Sequence, residues 1–145
     1  RAGSELAMAD LGELQVGLTI CYDLRFPELF RALLDQGANA FTVPSAFTSA
    51  TGRDHWETLL RARAIENQAF VLAANQVGTA DPSYDSWGHS MIIDPWGEIL
   101  AVVEEGEGHA VADLDLARQK EVRTRLPAVE HRRPEIFNQG VVHGS

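Results

Sequence analysis

Three short runs made almost wholly of apolar residues, Leu14 to Ile20, Ala40 to Val43 and Ala69 to Ala74, are separated by stretches with helical spacing. Strands that read as continuous apolar runs are covered on both faces, because a half-solvated strand alternates instead. After the first run a helix is expected from Pro27 to Gln36. Proline at the first helical position has no needed N–H to lose, and Gly37 just past the end suits the backbone that stops a helix. Leu29, Phe30, Leu33 and Leu34 form one apolar stripe on it. A polar loop, Ser45 to Arg53, then leads to a second helix from about His55 to Asn67. Strand, helix, strand, helix, strand is the order of an α/β layered architecture, with helices packed over a parallel sheet.

The remainder reads as additions to that unit. Gly78 to Ser86 is polar, carries Pro82 and is expected to be a loop. Ser90 to Ile93 and Ile99 to Val103 are expected to pair as a hairpin, since Asp94-Pro95-Trp96-Gly97 places proline and glycine where a tight turn wants them. His109 to Leu114 reads as one more strand, and Asp115 can cap a helix running to about Leu126. Arg1 to Glu13 is a short polar lead-in, and Pro127 to Ser145 has weak structure signals. No repeat or linker divides the 145 residues, so one domain is expected.

Charge and cysteine usage narrow the class of partner. Twelve Lys and Arg against 21 Asp and Glu give a net charge of -9, and no basic run exceeds Arg132-Arg133. A phosphate backbone would be repelled, so a nucleic-acid partner is not expected. The apolar runs fall far short of the ~20 residues that cross a bilayer. With no charged-then-apolar leader in these residues, neither a membrane span nor a signal peptide is expected. A single cysteine and no Asn-x-Ser/Thr sequon favour a reducing, cytoplasmic setting. The five histidines are scattered, and a lone thiol supplies no structural zinc site, so no metal is expected.

That lone thiol, Cys21, ends the first strand six residues before the proline that opens a helix. Only a thiolate attacks, and both a helix N-terminus and a guanidinium, here Arg25, favour the charged sulfur. A tight turn after the strand would also aim backbone N–H groups beside it, as an oxyanion requires. The plainer alternative is a small buried hydrophobe closing a core strand.

The string around it favours chemistry. Cys21-Tyr22-Asp23-Leu24-Arg25-Phe26-Pro27-Glu28, preceded by Val16 to Ile20, resembles the nucleophile segment of the nitrilase superfamily, the carbon–nitrogen hydrolases. The likeness continues through Pro44-Ser45-Ala46-Phe47-Thr48, Thr51-Gly52-Arg53-Asp54-His55-Trp56-Glu57 and Arg61 to Gln68. It extends to Trp87-Gly88-His89-Ser90 and Asp94 to Glu98, all in family order. The segment after the cysteine is most similar to the amidase branch acting on ω-amides of keto acids and on deaminated glutathione. This resemblance implies a cofactor-free, metal-free hydrolysis of a small amide. Cysteine attacks the amide carbon, ammonia leaves, and water cleaves the thioester. Nitrile or N-carbamoyl hydrolysis is the alternative within the superfamily. By position, Cys21 would be the nucleophile and the Tyr22 backbone N–H an oxyanion donor, with Arg25, Phe47 and Thr51 lining the substrate pocket. Arg25 could pair a substrate carboxylate. Each of these three also has a structural reading: Arg25 held by Glu28, Phe47 as core, Thr51 as a turn residue.

Other polar residues read as structural. Asp54-x-x-Glu57 looks like a capping box for the second helix, and Arg61, Arg63 and Glu66 like a charge network. His89 could approach the site but reads more readily as a hydrogen-bonded structural histidine, and Gly106-Glu107-Gly108 reads as a turn.

The family also uses a glutamate base and a lysine, both upstream of the cysteine. Here the single lysine is Lys120, far downstream, and Glu5, Asp10 and Glu13 match no catalytic position. The resemblance therefore implies that residues 1–145 are the second, C-terminal half of a four-layer α-β-β-α sandwich, inactive without its first half. A homo-oligomer is expected by analogy with the family. A catalytically dead interaction or assembly module is the alternative of a different class.

Overall fold

The expected alternation builds a mixed six-stranded sheet. The structure is a computed structural model and describes residues 3–81 and 83–137. The strands of this sheet are β1 (Met8–Leu11), β2 (Leu14–Leu18), β3 (Ala40–Thr42), β4 (Phe70–Ala73), β7 (Met91–Ile93) and β8 (Ile99–Val102). They lie side by side in that order. The three apolar runs form its parallel centre, with Val16 opposite Ala40 and Ala40 opposite Phe70. β1, β7 and β8 extend it antiparallel on either side.

One face carries Gly17, Phe41, Val71 and Ile93 in register. Helices α1 (Pro27–Asp35) and α2 (Ser49–Asn67) supply the side chains that meet it, with Phe30, Leu33, Trp56, Leu60 and Ala64 all buried in one cluster. Gly17 is required there, because a Cβ would come within 2.8 Å of the Phe41 ring. The opposite face holds Val16, Ala40 and Phe70, and Leu114 and Leu116 pack against them at the start of α3 (Leu116–Arg125). Along the same face, Leu18 is 42% exposed. A short helix, α4 (Pro134–Phe137), ends the described chain.

Several expectations are met. α1 begins on Pro27 and ends at Asp35, followed by Gly37 at φ +102°. β7 and β8 form the expected hairpin, and the Asp94 carboxylate accepts the N–H groups of Trp96 and Glu98, both at 2.8 Å. Asp115 caps α3 by accepting from Ala117 N–H at 2.9 Å and Arg118 N–H at 3.2 Å.

Five expectations need correction. α2 starts at Ser49, not at His55, so most of the supposed loop is helix. Its buried positions Gly52, Trp56, Leu60 and Ala64 recur every fourth residue, and the first turn is drawn in by contact with Trp87. Asp54 and Glu57 therefore lie inside the helix rather than at a capping box, and Glu57 pairs with Arg61 at 3.3 Å. Gly78 to Ser86 is mostly a separate hairpin of β5 (Val77–Asp81) and β6 (Tyr84–Trp87), while Pro82 lies outside the described residues. That ribbon is largely solvated and so lacks an apolar alternation to announce it. His109 to Leu114 is not a strand; it lies over the second sheet face, where Leu114 meets Val16, Ala40 and Phe70. The polar lead-in contains β1, an edge strand joined to β2 by a turn at Gly12, φ +80°. Within the tail, Arg132 reaches back to α1 and bonds Asp35 at 2.6 and 3.2 Å; residues 138–145 fall outside the described residues.

Candidate functional site

Parallel strands direct their carboxyl ends to one edge of the sheet, and the loops that follow them converge there. Here those loops hold Cys21, Pro44 to Thr48 and Ala74 to Gln76. β2 gives way to a 3-10 turn, Cys21–Arg25, fixed at both ends. Thr19 N–H donates to the Thr42 carbonyl at 3.1 Å, and Cys21 N–H to the Pro44 carbonyl at 2.9 Å. The Asp23 carboxylate accepts the Ile20 N–H at 2.8 Å. Between these ties Cys21 adopts φ +46°, the left-handed region that a residue with a Cβ enters only under constraint. The Leu24 carbonyl of the turn takes two hydrogen bonds from buried Arg63, at 3.1 and 2.7 Å.

Cys21 is half-buried and opens into two clefts. The first, about 280 Å³, is lined by Cys21, Tyr22, Arg25, Ala46, Phe47, Thr48 and Thr51. All five residues singled out from the sequence thus meet around one space. The second, about 680 Å³, runs toward the second sheet face and is bordered by Ile20, Ser45, Asn75, Gln76, Ser90 and Gly108, among others. Among the described residues, neither lining includes a glutamate or a lysine. Lys120 borders a separate cavity with Glu13 and Arg123.

The structural alternatives for these residues separate. Among the described residues, none of the ion pairs includes Arg25, so Glu28 does not hold it. The Arg25 guanidinium instead lies 5.2 Å from the Phe47 ring centre and 5.7 Å from that of Tyr22, with Nη1 3.4 Å from His55 Nδ1. Phe47 is both core and wall: it is buried, packs 5.1 Å from the Trp56 ring and borders the smaller cleft. Thr51 is no turn residue but sits in the first turn of α2, its hydroxyl 3.2 Å from that of Thr48.

Asn75 holds the wall in place. It is buried, its Oδ1 accepts the Phe47 N–H at 2.8 Å, and its Nδ2 donates to the Gly88 carbonyl at 2.7 Å. The sequence offers no signal for it beyond its place after the third apolar run. His89 is structural, as expected. Its Nδ1 lies 2.8 Å from the Trp87 carbonyl, its ring stacks on Trp87, and its own carbonyl accepts from Trp56 Nε1. It borders a third cavity rather than either Cys21 cleft. Among the described residues, no helix is long and apolar enough to cross a membrane, and no cluster of three or more His, Cys, Asp or Glu could hold a metal ion.

Comparison with known proteins supplies the deciding observation. The carbon–nitrogen hydrolase profile matches residues 1–124. The chain belongs to the carbon–nitrogen hydrolase family. Bovine deaminated glutathione amidase is 51% identical over 123 residues, a match covering 85% of this chain and 38% of that protein. The crystal structure of the C. elegans NitFhit protein superposes with a TM-score of 0.82 at 48% identity, over 86% of this chain and 30% of the other. That of Saccharomyces cerevisiae Nit3, a member of branch 10 of the nitrilase superfamily, gives 0.85 at 38% identity, over 92% and 49%. This carbon–nitrogen hydrolase chain therefore spans less than half the length of these relatives.

Proposed function

We propose that this chain carries the nucleophile and the substrate-binding wall of an amidase acting on a small, carboxylate-bearing ω-amide. The observation that carries the reading is the shared cleft. A thiol in strained backbone at a strand exit faces the same space as a guanidinium with no carboxylate partner among the described residues. The names of the relatives, deaminated glutathione amidases, support the same class.

In this reading the Cys21 Sγ adds to the amide carbon and the carbonyl oxygen becomes an oxyanion. The neighbouring amides are already engaged, Cys21 N–H with the Pro44 carbonyl and Asp23 N–H with that of Ile20. Tyr22 N–H lies between them and is the donor for the oxyanion. Collapse of the adduct expels ammonia, which takes up a proton, and leaves a thioester. Water then adds to the thioester carbon and frees the acid and the thiol. Arg25 anchors the distant carboxylate, Phe47 excludes water beside it, and Thr51 offers a hydroxyl. The proton-transferring glutamate and the lysine belong to the preceding half of the domain. Residues 1–145 alone then have negligible turnover.

Ammonia release by the complete enzyme and by the isolated 145-residue chain tests this directly. The complete enzyme should hydrolyse an ω-amide of a keto acid and lose that activity as Cys21→Ala, whereas the isolated chain should stay at background. Arg25→Ala should raise KM for carboxylate-bearing amides on the order of tenfold to a hundredfold, the loss of a charge-assisted pair, and leave a neutral amide little changed. Ordinary turnover by the isolated chain, or full activity without Cys21, overturns the proposal.

A further inference from the structure

We propose that His55 is the positioning residue that aims Arg25 into the Cys21 cleft while leaving its positive charge free for substrate. The inference rests on Arg25 being the carboxylate anchor described above. A guanidinium has five N–H donors and no acceptor, so in the 3.4 Å contact Arg25 Nη1 donates and His55 Nδ1 accepts. His55 thus offers Arg25 a ring nitrogen and no carboxylate charge.

Two aromatic rings complete the mount. The guanidinium carbon lies 5.2 and 5.7 Å from the ring centres of Phe47 and Tyr22, so the group is flanked by two aromatic rings and one imidazole nitrogen. None of these cancels its charge. An acid in place of His55 would hold Arg25 more strongly and neutralise it, closing the cleft to an anionic substrate. His55 lies one helical turn after Thr51 on α2, so a single helix supplies both the hydroxyl on the cleft wall and the acceptor behind the arginine. Buried Trp56 and Leu60 anchor that helix in the core, which fixes the backbone from which the exposed His55 reaches Arg25.

The test uses the complete enzyme and a pair of amides that differ only in a distant carboxylate, one free and one as its methyl ester. His55→Ala should raise KM for the acid about tenfold and leave KM for the ester and both kcat values nearly unchanged. His55→Asn, which keeps a neutral acceptor, should restore the preference for the acid. His55→Asp should remove that preference as fully as Arg25→Ala does, because it pairs the guanidinium. Equal losses on acid and ester in His55→Ala, or an unchanged preference in His55→Asp, overturn the assignment. If Arg25→Ala itself fails to separate the two substrates, the carboxylate-anchor reading falls and this inference falls with it. If Arg25→Ala separates them and His55→Ala does not, the role of His55 alone is refuted.

Discussion

At Cys21 the backbone φ of +46° sets the cost of placing a thiol at a strand exit. For a residue with a Cβ the left-handed region costs roughly 1–2 kcal/mol relative to the ordinary helical one, a penalty glycine escapes. The turn is held in that state by the Pro44 carbonyl on the Cys21 N–H, by its own Asp23 carboxylate on the Ile20 N–H and by Arg63 on the Leu24 carbonyl. A direct consequence is that Cys21→Gly should be more stable than Cys21→Ala by about 1 kcal/mol, read from urea midpoints, because both lose the sulfur and only one keeps the strain. Equal stability would show that the strain is absent. Cys21, Tyr22, Arg25, Phe47 and Thr51 were singled out from the sequence, and the fold brings them to one cleft. Asn75 and His55 were not: their roles arise from contacts with Phe47 and Arg25, 28 and 30 residues away along the chain.

Elements were predicted well where burial is symmetrical and poorly where it is not. The three central strands, α1, the β7–β8 hairpin and the cap of α3 could be read directly, since each has a local signature: an apolar run, a proline, a turn tetrad or an aspartate. The first turn of α2 has none, being Ser49, Ala50, Thr51 and Gly52. Thr and Gly are weak helix formers, so propensity pointed to a loop. Docking against the β5–β6 hairpin overrides it. Gly52 is the contact point, and a Cβ there would lie 2.3 Å from Trp87 Cγ. Gly52→Ala should therefore destabilise the protein by about 1–3 kcal/mol despite alanine's better helix propensity, because the ring or the helix must move. Thermal unfolding checks it, and a stabilised variant would show that the helix and hairpin are not in contact. Since Thr51 belongs to the same turn, the same substitution should also raise KM for the amide substrate.

Over the whole molecule, long-range ties hold the C-terminal segment onto the sheet unit. Arg132 clasps Asp35 at the end of α1 with two hydrogen bonds, and these hold the Asp35 carboxyl below its ordinary pKa. A lowered folded-state value means that the tie contributes stability above the unfolded carboxylate range, about pH 4, and loses it as pH falls through the lower folded value. Asp35 is about half exposed, so the contribution is small. Asp35→Asn should flatten part of the acid limb in urea midpoints measured from about pH 6 down to pH 3, with the two proteins converging at the acid end. A difference that persists unchanged there would remove Arg132 as the cause. The sequence by itself determined which segments are buried strands, where the hairpin turns and which thiol stands at a strand exit, since those depend on apolar runs and turn chemistry within a few residues. Only the tertiary structure decided that α2 begins at Ser49, that 109–114 lies over the sheet rather than joining it, and that the His55 ring stands beside Arg25. Those outcomes turn on which distant surface covers each segment, and covering is a property of the packed chain rather than of any local stretch of it.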